Sequence, residues 1–171
     1  PDEAYQWQMS RWLDWGYFHH PPMIAVFIKI GYAIFQNELG VRLMTVLSSS
    51  LSVLMLFSLA ETKHVKTFLL VFLSLILTQA GVFFAAPDSA LSVFALVFLV
   101  LLKKYLEKDS YLLAILLGLT VAALMYSKYH AIILLASALF AAPKLLLRKS
   151  FWLIAVVSVV MFLPHVFWQF E

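Results

Sequence analysis

Cysteine is absent and charge is scarce. With no thiol in 171 residues, the chain can form neither a disulfide nor a thiolate metal site, and its redox compartment is not legible. Only 12% of residues are charged while 64% are hydrophobic, against roughly 25% and 45–50% in soluble domains. A water-soluble domain of this length has too much surface to hide that excess, so the solvent for most of the chain is a bilayer. A basic stripe interleaved with aromatics is missing as well. The net charge is +3, yet the twelve basic residues are spread along links between apolar runs, which excludes the usual nucleic-acid footprint. No basic stretch leading into an apolar segment, the mark of a signal peptide, opens the chain at Pro1-Asp2-Glu3. Its last residues, Gln169-Phe170-Glu171, follow directly on an apolar run. The expectation is a piece of a longer protein with neighbours on both sides.

What is present divides into two parts. Residues 1–41 mix charge with aromatic rings: Trp7, Trp12, Trp15, Tyr17 and Phe18 suit the aromatic belt of a headgroup boundary. Met23–Phe35 is apolar but has only 13 residues and carries Lys29. A span needs roughly 20, so this stretch reads as a helix lying in the interface. Asp14-Trp15-Gly16 and Pro21-Pro22 punctuate it as turns. Residues 42–171 are apolar runs between short charged links and predict about six spans, over 43–60, 67–86, 89–102, 111–126, 129–142 and 151–168. The fold class expected is all-α, a polytopic transmembrane helix bundle with an outer loop bearing interfacial helices.

The topology turns on the 32-residue tract Tyr111–Ala142, broken only by Lys128. As one helix it would bury that lysine near mid-bilayer, at about 2.5–3.5 kcal/mol. As a hairpin of two short helices it brings Lys128 to a membrane face. The basic links holding Lys63, Lys66, Lys103, Lys104, Lys108, Lys144, Arg148 and Lys149 then share the other face, eight of the twelve basic residues. The positive-inside rule assigns that face to the cytoplasm. Asp2, Glu3, Asp14, Glu38, Asp88 and Glu171 gather with Lys128 on the non-cytoplasmic side, where they suit chemistry on a lipid headgroup.

Each candidate residue has a bland reading beside the chemical one. The Asp2-Glu3 pair could supply the carboxylate that takes a proton from an attacking hydroxyl, or could simply favour a helix dipole. Asp88, after Pro87, could orient an acceptor or serve as a plain N-cap. Lys128 could neutralise a phosphate leaving group or snorkel from an apolar hairpin. Arg11 and Arg42 are weaker candidates of the same kind. In His19-His20-Pro21-Pro22 a single imidazole could join a carboxylate on a divalent ion, or both rings could make ordinary hydrogen bonds. Tyr126, Tyr129 and His130 could line a headgroup pocket or anchor the hairpin.

In order along the chain stand Asp2-Glu3-Ala4-Tyr5, Leu13-Asp14-Trp15-Gly16-Tyr17-Phe18, His20-Pro21-Pro22-Met23-Ile24-Ala25 and Glu38-Leu39-Gly40-Val41-Arg42-Leu43. Together they resemble the first outer loop of GT-C membrane glycosyltransferases, in the bacterial group related to protein O-mannosyltransferases and lipid A aminoarabinose transferase. Ala86-Pro87-Asp88 and Gly118 through Ser127-Lys128-Tyr129 continue the resemblance over nearly the whole chain. It implies a larger protein of the cell envelope, set in the bacterial inner membrane. It further implies inverting transfer of a hexosyl or pentosyl group from a polyprenyl-phosphate carrier to a hydroxyl of a lipid, glycan or protein on the periplasmic face. By position, Asp2 would be the base, Glu3 its neighbour and Asp88 the second acid of the site. Lys128 would meet the lipid phosphate. Relatives carry Asp or Glu where this chain has His19, and in the aminoarabinose transferase that acid binds a metal. Imidazole keeps a ligand there but removes a negative charge.

Two other classes compete. A transporter or flippase would use Asp88 and Lys128 as intramembrane charges, but such proteins show repeated halves and helices broken near the midplane, and no internal repeat is present. A structural membrane subunit would leave every polar group to packing alone.

Overall fold

The computed structural model describes residues 2–18, 20–60, 64–74 and 84–170, apart from the side chain of Asp2. His19, Glu171, the links at 61–63 and the stretch 75–83 of the second apolar run lie outside them. Among the described residues every regular element is helical. The order is α1 (Asp2–Arg11), α2 (Met23–Ile34), α3 (Glu38–Leu59), α4 (Val65–Ser74), α5 (Pro87–Glu107), α6 (Tyr111–Ser127), α7 (Ala131–Ala141), a 3₁₀ turn over Pro143–Leu147, and α8 (Lys149–Trp168). The all-α, membrane-bundle class holds.

Three of these helices, α3, α5 and α8, have 22, 21 and 20 residues and are apolar enough to cross a membrane. At 1.5 Å per residue they are about 30–33 Å long, matching a hydrocarbon core of about 30 Å. Their apolar windows are 17%, 28% and 11% buried within the chain, so most of that surface needs an apolar solvent. Such exposed residues as Leu70, Phe140 and Leu147 tell the same story. The tract Tyr111–Ala142 is two helices: α6 stops at Ser127, Lys128 is extended, and α7 begins at Ala131.

The two ends of the bundle differ in chemistry. At the basic end, the Arg148 guanidinium donates to the carbonyls of Tyr105 and Leu106 and lies 5.0 Å over the Tyr105 ring. It thereby satisfies carbonyls of the last turn of α5, where a cation also complements the helix dipole. The buried Tyr105 hydroxyl meets Ser150 at 2.6 Å, and Ser150 donates to Asp109. This knot ties the end of α5, the link into α6 and the start of α8 together beside Lys103, Lys104, Lys108, Lys144 and Lys149. Between the ends, Phe98, Leu117, Leu124 and Leu145 form one core.

At the opposite, aromatic end α1 packs on α2 and α2 on α3 and α5, and Ile24, Phe27 and Ile28 of α2 bury against Ala85, Ala90 and Val93. Asn37 starts α3 by accepting from the Leu39 and Gly40 amides at 3.0 and 3.2 Å. Gly31 and Gly40 then let α2 and α3 meet backbone to backbone: a Cβ at Gly31 would run into the Gly40 carbonyl, and one at Gly40 into the carbonyls of Phe35 and Gly31. Gly40→Val is expected to destabilise the protein by about 1–3 kcal/mol, as overpacking does, read as a lowered melting temperature in detergent. An unchanged melting temperature would contradict this crossing.

Candidate functional site

The aromatic end gathers most of the polar candidates. Helix α1 begins at Asp2, so that residue sits at the positive end of a helix dipole; its side chain lies outside the described residues. Its neighbour Glu3 is held from two sides. Arg42 on α3 grips it with a two-pronged pair, Nε to Oε1 at 2.9 Å and Nη2 to Oε2 at 2.7 Å. The Ala85 amide donates to Oε1 at 3.2 Å. These bonds hold the Glu3 carboxyl below its ordinary range, the Arg42 hydrogen bond contributing most, burial opposing it and the Ala85 amide assisting. A carboxylate so engaged is a brace, fixing α1 to α3 and to the segment leading into α5.

That segment delivers Asp88. Ala86 is the N-cap of α5, Pro87 opens the helix, and Asp88 lies in its first turn, where proline and an acid are both favoured. Its side chain is not spent on capping: Lys128 Nζ donates to Asp88 Oδ1 at 2.7 Å. The Asp88 side chain is 64% exposed and that of Lys128 29%. An exposed pair of this kind contributes only about 0–1 kcal/mol, so either partner can exchange it for another ion at small cost.

Arg11 ends α1. Its guanidinium stands 5.4 and 5.7 Å from the Trp7 and Trp12 rings, and its carbonyl accepts from Lys29 at 3.2 Å. These contacts anchor it among aromatic rings. His19 lies outside the described residues. Among the described residues no group of three or more His, Asp and Glu side chains could hold a metal ion.

The segment 12–17 is built by Tyr17. Its hydroxyl lies 2.9 and 3.0 Å from the carbonyls of Trp12 and Met9 and 3.3 Å from the Asp14 amide. It donates to one carbonyl at a time and accepts from the amide, closing the open end of α1; burial raises its pKa. Trp15 is thereby set against Tyr126, ring centroids 6.5 Å apart. A cavity of about 490 Å³ opens between Trp15, Asp14, Met23 and Tyr126. A second, of about 410 Å³, lies between Glu3, Trp7, Tyr32, Glu38 and Arg42. Both fall within the usual size of small-molecule sites.

Sequence reasoning overlooked His165. It is fully buried in α8, and its imidazole contacts Trp15, Tyr129 and Gln169. The signal was available, since an ionisable ring just after Pro164 inside an apolar run is a functional candidate by default.

Long apolar helices, a braced aromatic segment and an accessible ion pair at one end define an integral membrane protein with a polar site at the edge of its bundle. The sequence model of the dolichyl-phosphate-mannose-protein mannosyltransferase family matches residues 19–168, and the chain belongs to that family. It is a membrane glycosyltransferase of the GT-C type. No curated protein and no solved structure matches it. The matched stretch holds Asp88, Lys128 and His165; Asp2, Glu3 and Arg11 precede it.

The Glu3–Arg42 brace has a pH signature. A carboxyl whose folded pKa is depressed contributes stability that is whole above its unfolded value of 4.5. That contribution is lost as pH falls through the lower folded value. Melting temperatures should therefore drop more steeply for the wild type than for Glu3→Gln as pH is taken from 6 to about 3. Parallel curves would contradict the brace.

Proposed function

We propose that the protein transfers a sugar, with inversion, from a polyprenyl-phosphate carrier to a hydroxyl acceptor at the extracytoplasmic membrane face. The observation that carries this reading is the 2.7 Å Asp88–Lys128 pair, set at the same end as the Glu3–Arg42 brace in a chain of a mannosyltransferase family. The sidedness is supported by charge: Lys103, Lys104, Lys108, Lys144, Arg148 and Lys149 belong to the other end, and basic links favour the cytoplasm.

In this reading Asp2 is the general base. It takes the proton of the acceptor hydroxyl as that oxygen attacks the anomeric carbon. The carbon–oxygen bond to the phosphate breaks, and polyprenyl phosphate departs with the bonding electrons. Lys128 meets the departing phosphate, leaving Asp88 to orient the acceptor. Glu3, already committed to Arg42, holds the start of α1 and so the position of Asp2. Arg11, exposed among tryptophans at the headgroup level, is a secondary contact for the lipid phosphate. The acceptor is a lipid, glycan or protein hydroxyl, and the membrane is the bacterial inner membrane. A divalent ion, if His19 shares in holding one, would add a positive charge near the phosphate.

Removal of the base should cost most. Asp2→Asn is expected to lower transfer about 10²–10⁴-fold, the usual range for lost general-base help. It should leave donor binding intact. Lys128→Ala should weaken binding of polyprenyl phosphate. Transfer from lipid-linked sugar in membranes carrying the full-length protein measures the first and lipid titration the second. Undiminished transfer by Asp2→Asn would overturn the assignment of the base.

A further inference from the structure

The proposed transfer leaves His165 unused, although it is fully buried and both its ring nitrogens are engaged. Nδ1 lies 2.6 Å from the Trp15 carbonyl oxygen. A carbonyl only accepts, so Nδ1 carries the proton, and Nε2 of the neutral ring is an acceptor. The Tyr129 hydroxyl, 2.7 Å away, donates to it. Gln169, one turn further along the chain, donates to the Tyr129 oxygen at 3.0 Å and lies 3.1 Å from Nε2. Both ring nitrogens thus have a partner of the right sense.

Aromatic rings enclose the imidazole. Trp168 stacks on it at 6.0 Å and 16°, and Phe162 and Tyr126 close its edges at 4.9 and 5.9 Å. The Trp168 ring lies so close over Gly16 that a Cβ there would collide with it, which fixes the Trp15-Gly16 backbone from the other side. Pro164, lacking an amide hydrogen, interrupts the ladder of α8 just before His165, and the Met161 carbonyl one turn back accepts from the Tyr126 hydroxyl at 3.0 Å. One imidazole thus spans two segments far apart in sequence. On one side is the wall of the 490 Å³ cavity formed by Trp15; on the other is the turn that carries Lys128.

We propose that His165 is a positioning residue for the lipid-phosphate site. Through Tyr129 it holds the Lys128 turn, and the Trp15 carbonyl fixes the tautomer whose Nε2 accepts from Tyr129. The inference rests on the reading of Lys128 as the phosphate contact. A satisfied core histidine would look similar in burial alone; the difference is that each nitrogen here serves a separate segment of the site.

The test separates the two nitrogens. Asparagine places a polar atom near Nδ1 only, and glutamine near Nε2 only, whereas alanine would orphan both partners in the core. Undecaprenyl phosphate is titrated into the full-length protein in nanodiscs for wild type, Lys128→Ala, Tyr129→Phe, His165→Asn and His165→Gln. His165→Asn and Tyr129→Phe should each weaken binding roughly tenfold, about one lost hydrogen bond. The double variant should be no worse than either single, because both cut one link. His165→Gln should bind within about threefold of wild type, since it keeps that link. If Lys128→Ala weakens binding while Tyr129→Phe and His165→Asn do not, the positioning role is overturned and the phosphate contact stands. Affinity losses that add in the double variant, or that equally afflict His165→Gln, indicate a general loss of packing and also overturn it. If Lys128→Ala binds as wild type does, the phosphate contact itself fails and this inference falls with it.

Discussion

A lysine inside a largely apolar tract of 32 residues would cost about 2.5–3.5 kcal/mol at the centre of a bilayer, and the architecture follows from where it goes instead. Helix α6 stops at Ser127 and α7 starts at Ala131, so Lys128 emerges at an end of the bundle and meets Asp88. The partner helices must then present Asp88 at the same level. They do so because Pro87 starts α5 immediately after the segment that Glu3 holds through the Ala85 amide. Displace the lysine, and Asp88 loses the partner that joins α5 to the turn between α6 and α7.

The two ends of the bundle use opposite strategies. At the basic end the charges serve the backbone: Arg148 caps α5 and Ser150 closes the Tyr105–Asp109 knot. At the aromatic end Glu3 is fully occupied, while Asp88 and Lys128 are joined by a single, water-accessible contact. A rigid frame around an accessible ion pair is the arrangement on which the proposed phosphate contact rests, because the frame would keep its geometry if a phosphate took the lysine.

Much of this architecture is legible in the amino-acid sequence. The break at Lys128 is readable because a charge in an apolar run has a known penalty, and α2 because Met23–Phe35 is too short and too charged to span. Partners are harder to read. Arg42 and Glu3 are 39 residues apart, and Trp15 and His165 are 150 apart. Nothing in the sequence of α8 says which face meets a neighbour, so His165 stands out as an ionisable ring in an apolar run while its partners do not. The close approach at Gly31 and Gly40 is hidden for the same reason: glycine announces small size, and only the crossing of two helices gives that size a use. Asp88 invites reading as an N-cap from its place after proline, whereas the cap is Ala86 and the carboxylate is available to Lys128.

Sidedness is the claim on which the chemistry depends, and the chain's lack of cysteine makes it directly measurable. His130→Cys, exposed beside Lys128, and Lys108→Cys, exposed at the basic end, each supply the one thiol within these 171 residues. Intact cells are treated with a membrane-impermeant maleimide, then permeabilised and treated again. The account predicts that the thiol at position 130 labels at once and that the one at position 108 labels only after permeabilisation. The reverse order, or labelling of both thiols from the same side, would contradict it.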